Sequence, residues 1–235
     1  APSIRIIASD TSICAGDNIT LTASGASDFS WSNGISNGIT FAPPIGTNIY
    51  SVVSINSSNI CQGGDSIEII VNGLPEVTAQ ATSNIICEGD SIILLGSGAS
   101  NYIWNNEATN GVAFVPAAGN LSYVVTGYDS NGCSDSDSIE IVNNSLPDIS
   151  VSSSGNDICE TESITLNGSG GSMYTWSNSV EDGVSFFPPL GITSYTLFGV
   201  DSNGCSSQDS VFVTVFPQPN ICLLYTSDAA DEVVS

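Results

Sequence analysis

At 235 residues the chain carries 24 acidic side chains against a single base, Arg5, and has no Lys or His, for a formal charge of −23. That surface repels nucleic acid and anionic membrane, which are bound through Lys and Arg, and with the cysteines in bridges it leaves only carboxylates for acid–base chemistry. Charged residues make up 11% and hydrophobic residues 41%, so Ser, Thr, Asn and Gly supply the polarity, and the composition is not that of a disordered chain. No apolar run reaches the roughly 18 residues of a membrane-spanning helix.

Taken in order, residues 3–9 predict a first strand and Ala15-Gly16-Asp17 a turn. Residues 18–24 alternate as a strand should. Phe29 and Trp31, two apart, share one face of the next strand, the core face by size. Asn33-Gly34 and Asn37-Gly38 signal turns. Residues 39–42 form a short strand stopped by Pro43-Pro44, and 48–55 and 66–71 complete a unit of six or seven strands. Helical periodicity is absent throughout.

The same landmarks then return twice. The first cysteines, Cys14, Cys87 and Cys159, step by 73 (14 to 87) and 72 (87 to 159) residues, and Trp31, Trp104 and Trp176 take the same steps. Phe41, Phe114 and Phe186 each lie two residues before a proline, and Tyr50, Tyr123 and Tyr195 follow in register. Second cysteines, Cys61, Cys133 and Cys205, stand four residues before Asp65, Asp137 and Asp209. Such register predicts an all-β chain of three tandem domains, residues 1–75, 76–147 and 148–219. Domains this small bury a limited core and usually need help, which two cysteines apiece would supply. The short proline joints, Leu74-Pro75 and Leu146-Pro147, predict a semi-rigid rod.

Residues 220–235 break the pattern. The run from Cys222 to Glu232 resembles the translation of a transposase-type sequencing adapter, so this tail is expected to be non-native and to pack onto nothing. A disulfide-bearing chain is expected to be exported. With neither an initiating Met nor a signal peptide at Ala1, the chain is expected to be an internal fragment of something longer.

The succession Cys87-Glu-Gly-Asp-Ser-Ile92, Tyr102-Ile-Trp104, Gly111-Val-Ala-Phe-Val-Pro116, Ser122-Tyr123, Asp129-Ser-Asn-Gly-Cys133 and Asp137-Ser-Ile139 resembles a known repeat family. These are immunoglobulin-like repeats, akin to PKD domains, of large exported surface proteins of Bacteroidota. The resemblance covers residues 1–219. It implies β-sandwich modules in long arrays, export by type IX secretion, a link to adhesion or gliding, and no catalytic residues. Unit 1 departs with Asn56-Ser-Ser-Asn-Ile60 and one inserted residue; unit 3 departs with Glu162 in place of Asp.

Several side-chain groups are candidates for chemistry. With no His and no Cys-x-x-Cys, the cysteines do not read as a zinc site. Disulfides within each unit are expected, Cys14–Cys61, Cys87–Cys133 and Cys159–Cys205, tying the start of the second strand to the last hairpin. Pairing across a joint, Cys61 with Cys87 or Cys133 with Cys159, is set aside because the chain would have to fold back. The three tryptophans read as core residues rather than sugar platforms. Asp129, Asn131, Asp135 and Asp137 form a candidate calcium set, against which stands ordinary turn chemistry. Gly96-Ser-Gly98 and Gly168-Ser-Gly-Gly171 read as strand-connecting turns, with no Lys for a phosphate loop. Ser66, Ser91, Ser138 and Ser210, each in Asp-Ser-Ile or Asp-Ser-Val, resemble O-glycosylation acceptors of Bacteroidota.

No residue set stands out as unique to one unit. The expected function is therefore a structural spacer or stalk array within a large exported bacterial cell-surface or adhesin protein, without catalysis or cofactor, whose partners are neighbouring repeats of the same parent chain. The alternative is a set of accessory modules of a secreted glycan-degrading enzyme that bind an extracellular carbohydrate or protein.

Overall fold

The computed structural model describes residues 3–54 and 62–219. The chain divides into two compact units, residues 1–143 and 144–235.

The first unit opens with β1 (Arg5–Ala8), β2 (Ser12–Cys14), β3 (Ile19–Ser24), β4 (Phe29–Trp31), β5 (Thr40–Phe41), β6 (Gly46–Ser54) and β7 (Gly64–Asn72). They form two sheets, ordered β1-β3-β5 and β2-β7-β6-β4. Every pairing is antiparallel except β2 with β7, which is parallel, Cys14 facing Asn72. Strand alternation sends Ile19, Leu21 and Ala23 from one sheet and Trp31, Tyr50, Val52, Ile69 and Val71 from the other into a common core. Each large side chain so buried contributes about 1.5–3 kcal/mol. This is an immunoglobulin-like sandwich.

The same seven-strand plan follows with β8 (Thr78–Ala81), β9 (Ile85–Cys87), β10 (Ile92–Ser97), β11 (Asn101–Trp104), β12 (Ala113–Phe114), β13 (Gly119–Tyr128) and β14 (Ser134–Asn144). The second unit repeats it with β15 (Ser150–Ser153), β16 (Asp157–Cys159), β17 (Ile164–Ser169), β18 (Met173–Trp176), β19 (Ser185–Phe186), β20 (Gly191–Val200) and β21 (Ser206–Phe216). Three tandem sandwiches result, each built on an edge-to-face pair at its centre: Phe41–Tyr50, Phe114–Tyr123 and Phe186–Tyr195, with centroids 5.2, 5.6 and 5.3 Å apart.

The expected strands at 3–9, 18–24, 29–31 and 39–42 are present, and so is the hairpin at residues 129–132. Its strands run longer than their apolar stretches, because polar pairs such as Thr126 and Ser136 extend the ladder beyond the core. The strand that alternation failed to show is the three-residue β2 with its copies β9 and β16. At Asp10 the chain leaves one sheet for the other, with Asp10 Oδ1 accepting from the N–H groups of Thr11 and Ser12 at 2.6 and 3.1 Å. Three residues are too few to carry a period.

Gly96 and Gly168 are strand residues rather than turns, within β10 and β17. A Cβ at Gly96 would meet the ring of Tyr102 at 2.6 Å, and one at Gly168 would meet Leu197 at 2.6 Å and Tyr174 at 3.1 Å. The turn belongs to Gly98 and Gly170, both at φ +91°, where a Cβ would run into the carbonyl oxygens of Glu76 and Asp148.

Candidate functional site

The cysteines pair differently from the expectation within each unit. Cys14 ends β2, and Cys133 is the last residue of the tight turn joining β13 to β14. These two are disulfide-bonded, with Cα atoms 5.5 Å apart and a sequence separation of 119. The bond leaves the first repeat and enters the second, spanning the Leu74-Pro75 joint. Cys14–Cys61 and Cys87–Cys133 are thereby corrected.

The parallel pairing of the short strand explains why. Cys159 faces Phe216, the last residue of β21, whereas Cys205 comes immediately before Ser206, the first. A strand of 11 residues holds them about 30 Å apart, while a disulfide requires Cα atoms within roughly 7 Å. The third repeat thus carries its two cysteines at opposite poles. Cys159 is a free, exposed thiol, which corrects Cys159–Cys205 as well. Cys87 and Cys205 are each in a disulfide. Cys61 and Cys222 lie outside the described residues, as does the whole tail from residue 220.

Trp31, Trp104 and Trp176 are buried, 8%, 5% and 6% exposed, as core residues. Each indole N–H donates to a side chain six residues on: Asn37 Oδ1 at 3.3 Å, Asn110 Oδ1 at 3.1 Å and Asp182 Oδ1 at 2.9 Å. That same oxygen accepts a backbone N–H across the sandwich, from Ala23, Gly96 and Gly168 at 2.6, 2.6 and 2.7 Å. This lock was missed, although Trp-x5-Asn or Trp-x5-Asp recurs in all three repeats. Of the three acceptors, Asn37 alone lies in a predicted turn, Asn37-Gly38.

The candidate calcium residues are not assembled as one site. Asp129 Oδ1 accepts from the backbone N–H groups of Asn131 and Cys133 at 2.8 and 2.9 Å, fixing the turn that presents Cys133. Asp137 faces another way. Its Oδ2 accepts from Ala79 N at 2.8 Å on the opposite sheet, and that bond, with one from the Ser138 N–H, holds its carboxyl below the ordinary 3.8. Asp65 and Asp209 make the same inter-sheet bond, to Ile6 N and Val151 N, both at 3.0 Å. Among the described residues no three His, Cys, Asp or Glu side chains converge as metal ligands. Ser66, Ser91, Ser138 and Ser210 are exposed.

Hollows recur at one place in each repeat, beside the central aromatic pair: Phe41 with Tyr50, Phe114 with Tyr123, and Phe186 with Tyr195, with volumes of ≈ 410, ≈ 340 and ≈ 340 Å³. Their recurrence makes them part of the sandwich plan rather than a site special to one repeat. Each repeat also exposes apolar side chains on the outer face of its four-stranded sheet, Ile49, Val53 and Ile70 in the first and Ile103 and Val124 in the second. On the outer face of the β16-β21-β20-β18 sheet, Met173, Ile192, Phe198 and Phe212 are exposed. The second repeat places Asn101, Asn120, Thr126 and Glu140 at those register positions. The third repeat differs in carrying aromatic side chains there, Phe198 and Phe212.

Among the described residues no helix is long and apolar enough to cross a membrane. No protein family and no curated protein matches the chain. The chain resembles several solved structures. Three N-terminal domains of the bacteriophage RB49 highly immunogenic outer capsid protein match 93% of this chain and 100% of their own, at 12% identity and a TM-score of 0.32. Immunoglobulin domains 1–5 of Sidekick-1 match 91% at 14% identity and a TM-score of 0.28, and this chain spans 59% of their length. The Bacteroides ovatus mixed-linkage glucan utilization locus protein SGBP-B, solved with a mixed-linkage heptasaccharide, matches 88% of this chain and 65% of its own at 17% identity and a TM-score of 0.21.

Proposed function

We propose that residues 1–75, 76–147 and 148–219 are modules of a spacer or stalk array in an exported bacterial cell-surface protein, bearing load without catalysing a reaction. The observation that carries this reading is the Cys14–Cys133 bond. Tension applied along the chain reaches Cys14 after β1 and β2 and crosses by a covalent bond to the start of β14. The disulfides support an oxidising compartment, and the uniform negative charge supports solubility outside the cell. The exposure of Ser66, Ser91, Ser138 and Ser210 supports them as acceptors for O-glycosylation.

Force spectroscopy tests the reading. Pulled between its ends, the oxidised chain should withhold the segment between Cys14 and Cys133. Reduction should add at least about 40 nm of contour length, the span of the 119 residues closed by this bond at up to 3.6 Å each, with any further release coming from the bonds of Cys87 and Cys205. Equal contour lengths before and after reduction would remove the load-bearing argument.

The exposed Phe198 and Phe212 face favours a second reading, in which the third repeat binds an extracellular glycan or protein. Glycan-array binding abolished by Phe212→Glu, the second repeat's residue at that position, would establish it.

A further inference from the structure

We infer that Cys159 is a covalent docking point for one further repeat of this type, joined after residue 219 of the same chain and bonded through its hairpin cysteine. The inference rests on the array reading above and adds the chemistry of its joints.

Cys159 and Cys14 occupy one structural position. Each ends the short parallel strand of its repeat, Cys14 opposite Asn72 at the end of β7 and Cys159 opposite Phe216 at the end of β21. The N–H of the next residue donates to that opposite residue's carbonyl, Ala15 to Asn72 and Glu160 to Phe216, both at 2.8 Å. The cysteine's own N–H donates to an acid three residues on, Asp17 Oδ2 at 3.1 Å for Cys14 and Glu162 Oε2 at 2.8 Å for Cys159. The backbone therefore presents both sulfurs alike. What differs lies beyond them: Cys14 is bonded to the next repeat, and Cys159 is a free, exposed thiol. An exposed cysteine alone would name no partner. Its bonded counterpart does.

The partner's half of the joint is equally defined. Cys133 is delivered by the turn Asp129-Ser-Asn-Gly-Cys133, with Gly132 at φ +85° and Asp129 Oδ1 clamping the N–H groups of Asn131 and Cys133. The third repeat builds the same turn from Asp201 to Cys205, with Gly204 at φ +87° and both bonds at 2.8 Å. The turn is thus a rigid cysteine carrier belonging to the repeat plan. Because Cys133 belongs to the repeat following that of Cys14, the partner of Cys159 comes from the repeat joined next in the same chain.

Bond formation removes one proton and one electron from each thiol. Thiol–disulfide exchange with a small-molecule or protein disulfide accepts both electrons and both protons, and that oxidant leaves as two thiols.

The experiment joins a second copy of residues 76–147 directly after Pro219 and oxidises the purified chain with oxidised glutathione. Non-reducing peptide mapping should then link Cys159 to the copied Cys133, and alkylation of Cys159 should fall at least roughly tenfold relative to the chain as it stands. A free Cys159 beside a folded added repeat would overturn the inference, as would a bond from Cys159 to another molecule. An independent measurement covers failure of the added repeat to fold. In the 235-residue chain, native alkylation should modify Cys159, and finding Cys159 already bonded to Cys205 would overturn the inference. Because these assays read one covalent bond and no mechanical property, the bond can fail while the load-bearing reading stands.

Discussion

Trp104 Nε1 donates to Asn110 Oδ1 at 3.1 Å, and the N–H of Gly96 donates to the same oxygen at 2.6 Å. One amide thus satisfies a core indole and a strand of the opposite sheet. Asn110→Ala leaves both donors without an acceptor and should destabilise the second repeat by about 1–3 kcal/mol, measured by denaturant unfolding. Asp182→Asn, which installs in the third repeat the residue the other two use, should change stability far less than Asp182→Ala. Equal losses for the two substitutions would show that the lock contributes nothing.

Peptide mapping without reduction should recover Cys14 joined to Cys133 in the intact chain. Recovery of Cys14 joined to Cys61 would overturn the cross-joint geometry. Cys133→Ser should expose the Cys14 thiol to alkylation while leaving the β-sheet circular dichroism unchanged, since both sandwich cores are built without that sulfur.

Acid stability should depend on Asp137. Its folded-state pKa is lowered by the N–H groups of Ala79 and Ser138, the first of them the larger influence. On acidification the unfolded chain takes up this proton first, so the contribution is complete above the ordinary carboxylate value and is lost as pH falls through the folded one. Asp137→Ala should lower the unfolding midpoint at neutral pH and flatten its fall as the pH drops below the ordinary carboxylate value. An unchanged acid profile would show that the inter-sheet bond adds no stability.

Alkaline stability follows from Tyr50, Tyr123 and Tyr195, whose hydroxyls are pushed above the usual 10.0 by burial. The folded state holds them neutral. The unfolded chain ionises first, so stability is intact below about pH 10 and declines as pH rises from there toward the folded-state values. Absorbance titration of phenolate should show these three ionising with or after unfolding. Early, reversible ionisation of all seven tyrosines would contradict the buried aromatic pairs.

Gly98 is held at φ +91° against the carbonyl of Glu76. Gly98→Ala meets both an unfavourable backbone region and a steric clash, so the loss should exceed about 1 kcal/mol. Gly119, also at positive φ but with open space around its missing Cβ, should cost less. A larger loss at Gly119 would refute the clash argument.

Much of the sandwich was legible in the residues alone. Period-two alternation around Ile19-Thr-Leu21, aromatic pairs two apart, and turn residues at matched intervals are local signals, and threefold repetition raised them above chance. The inward placement of Trp31, Trp104 and Trp176 followed from size and spacing. What escaped was everything set by the direction of a three-residue strand. β2, β9 and β16 are too short to show a period, yet the parallel run of β2 beside β7, repeated by β16 beside β21, decides that Cys14 lies a whole strand's length from the start of β7 and 5.5 Å, Cα to Cα, from Cys133. Likewise Asn37 reads only as a turn residue, and Asn110 and Asp182 carry no reading at all, because the indole and strand N–H groups they join are neighbours only after the two sheets close. Sequence determined which residues face inward, since that follows from local alternation; tertiary structure alone decided which cysteines meet, since that depends on strand direction and on which poles of successive sandwiches abut.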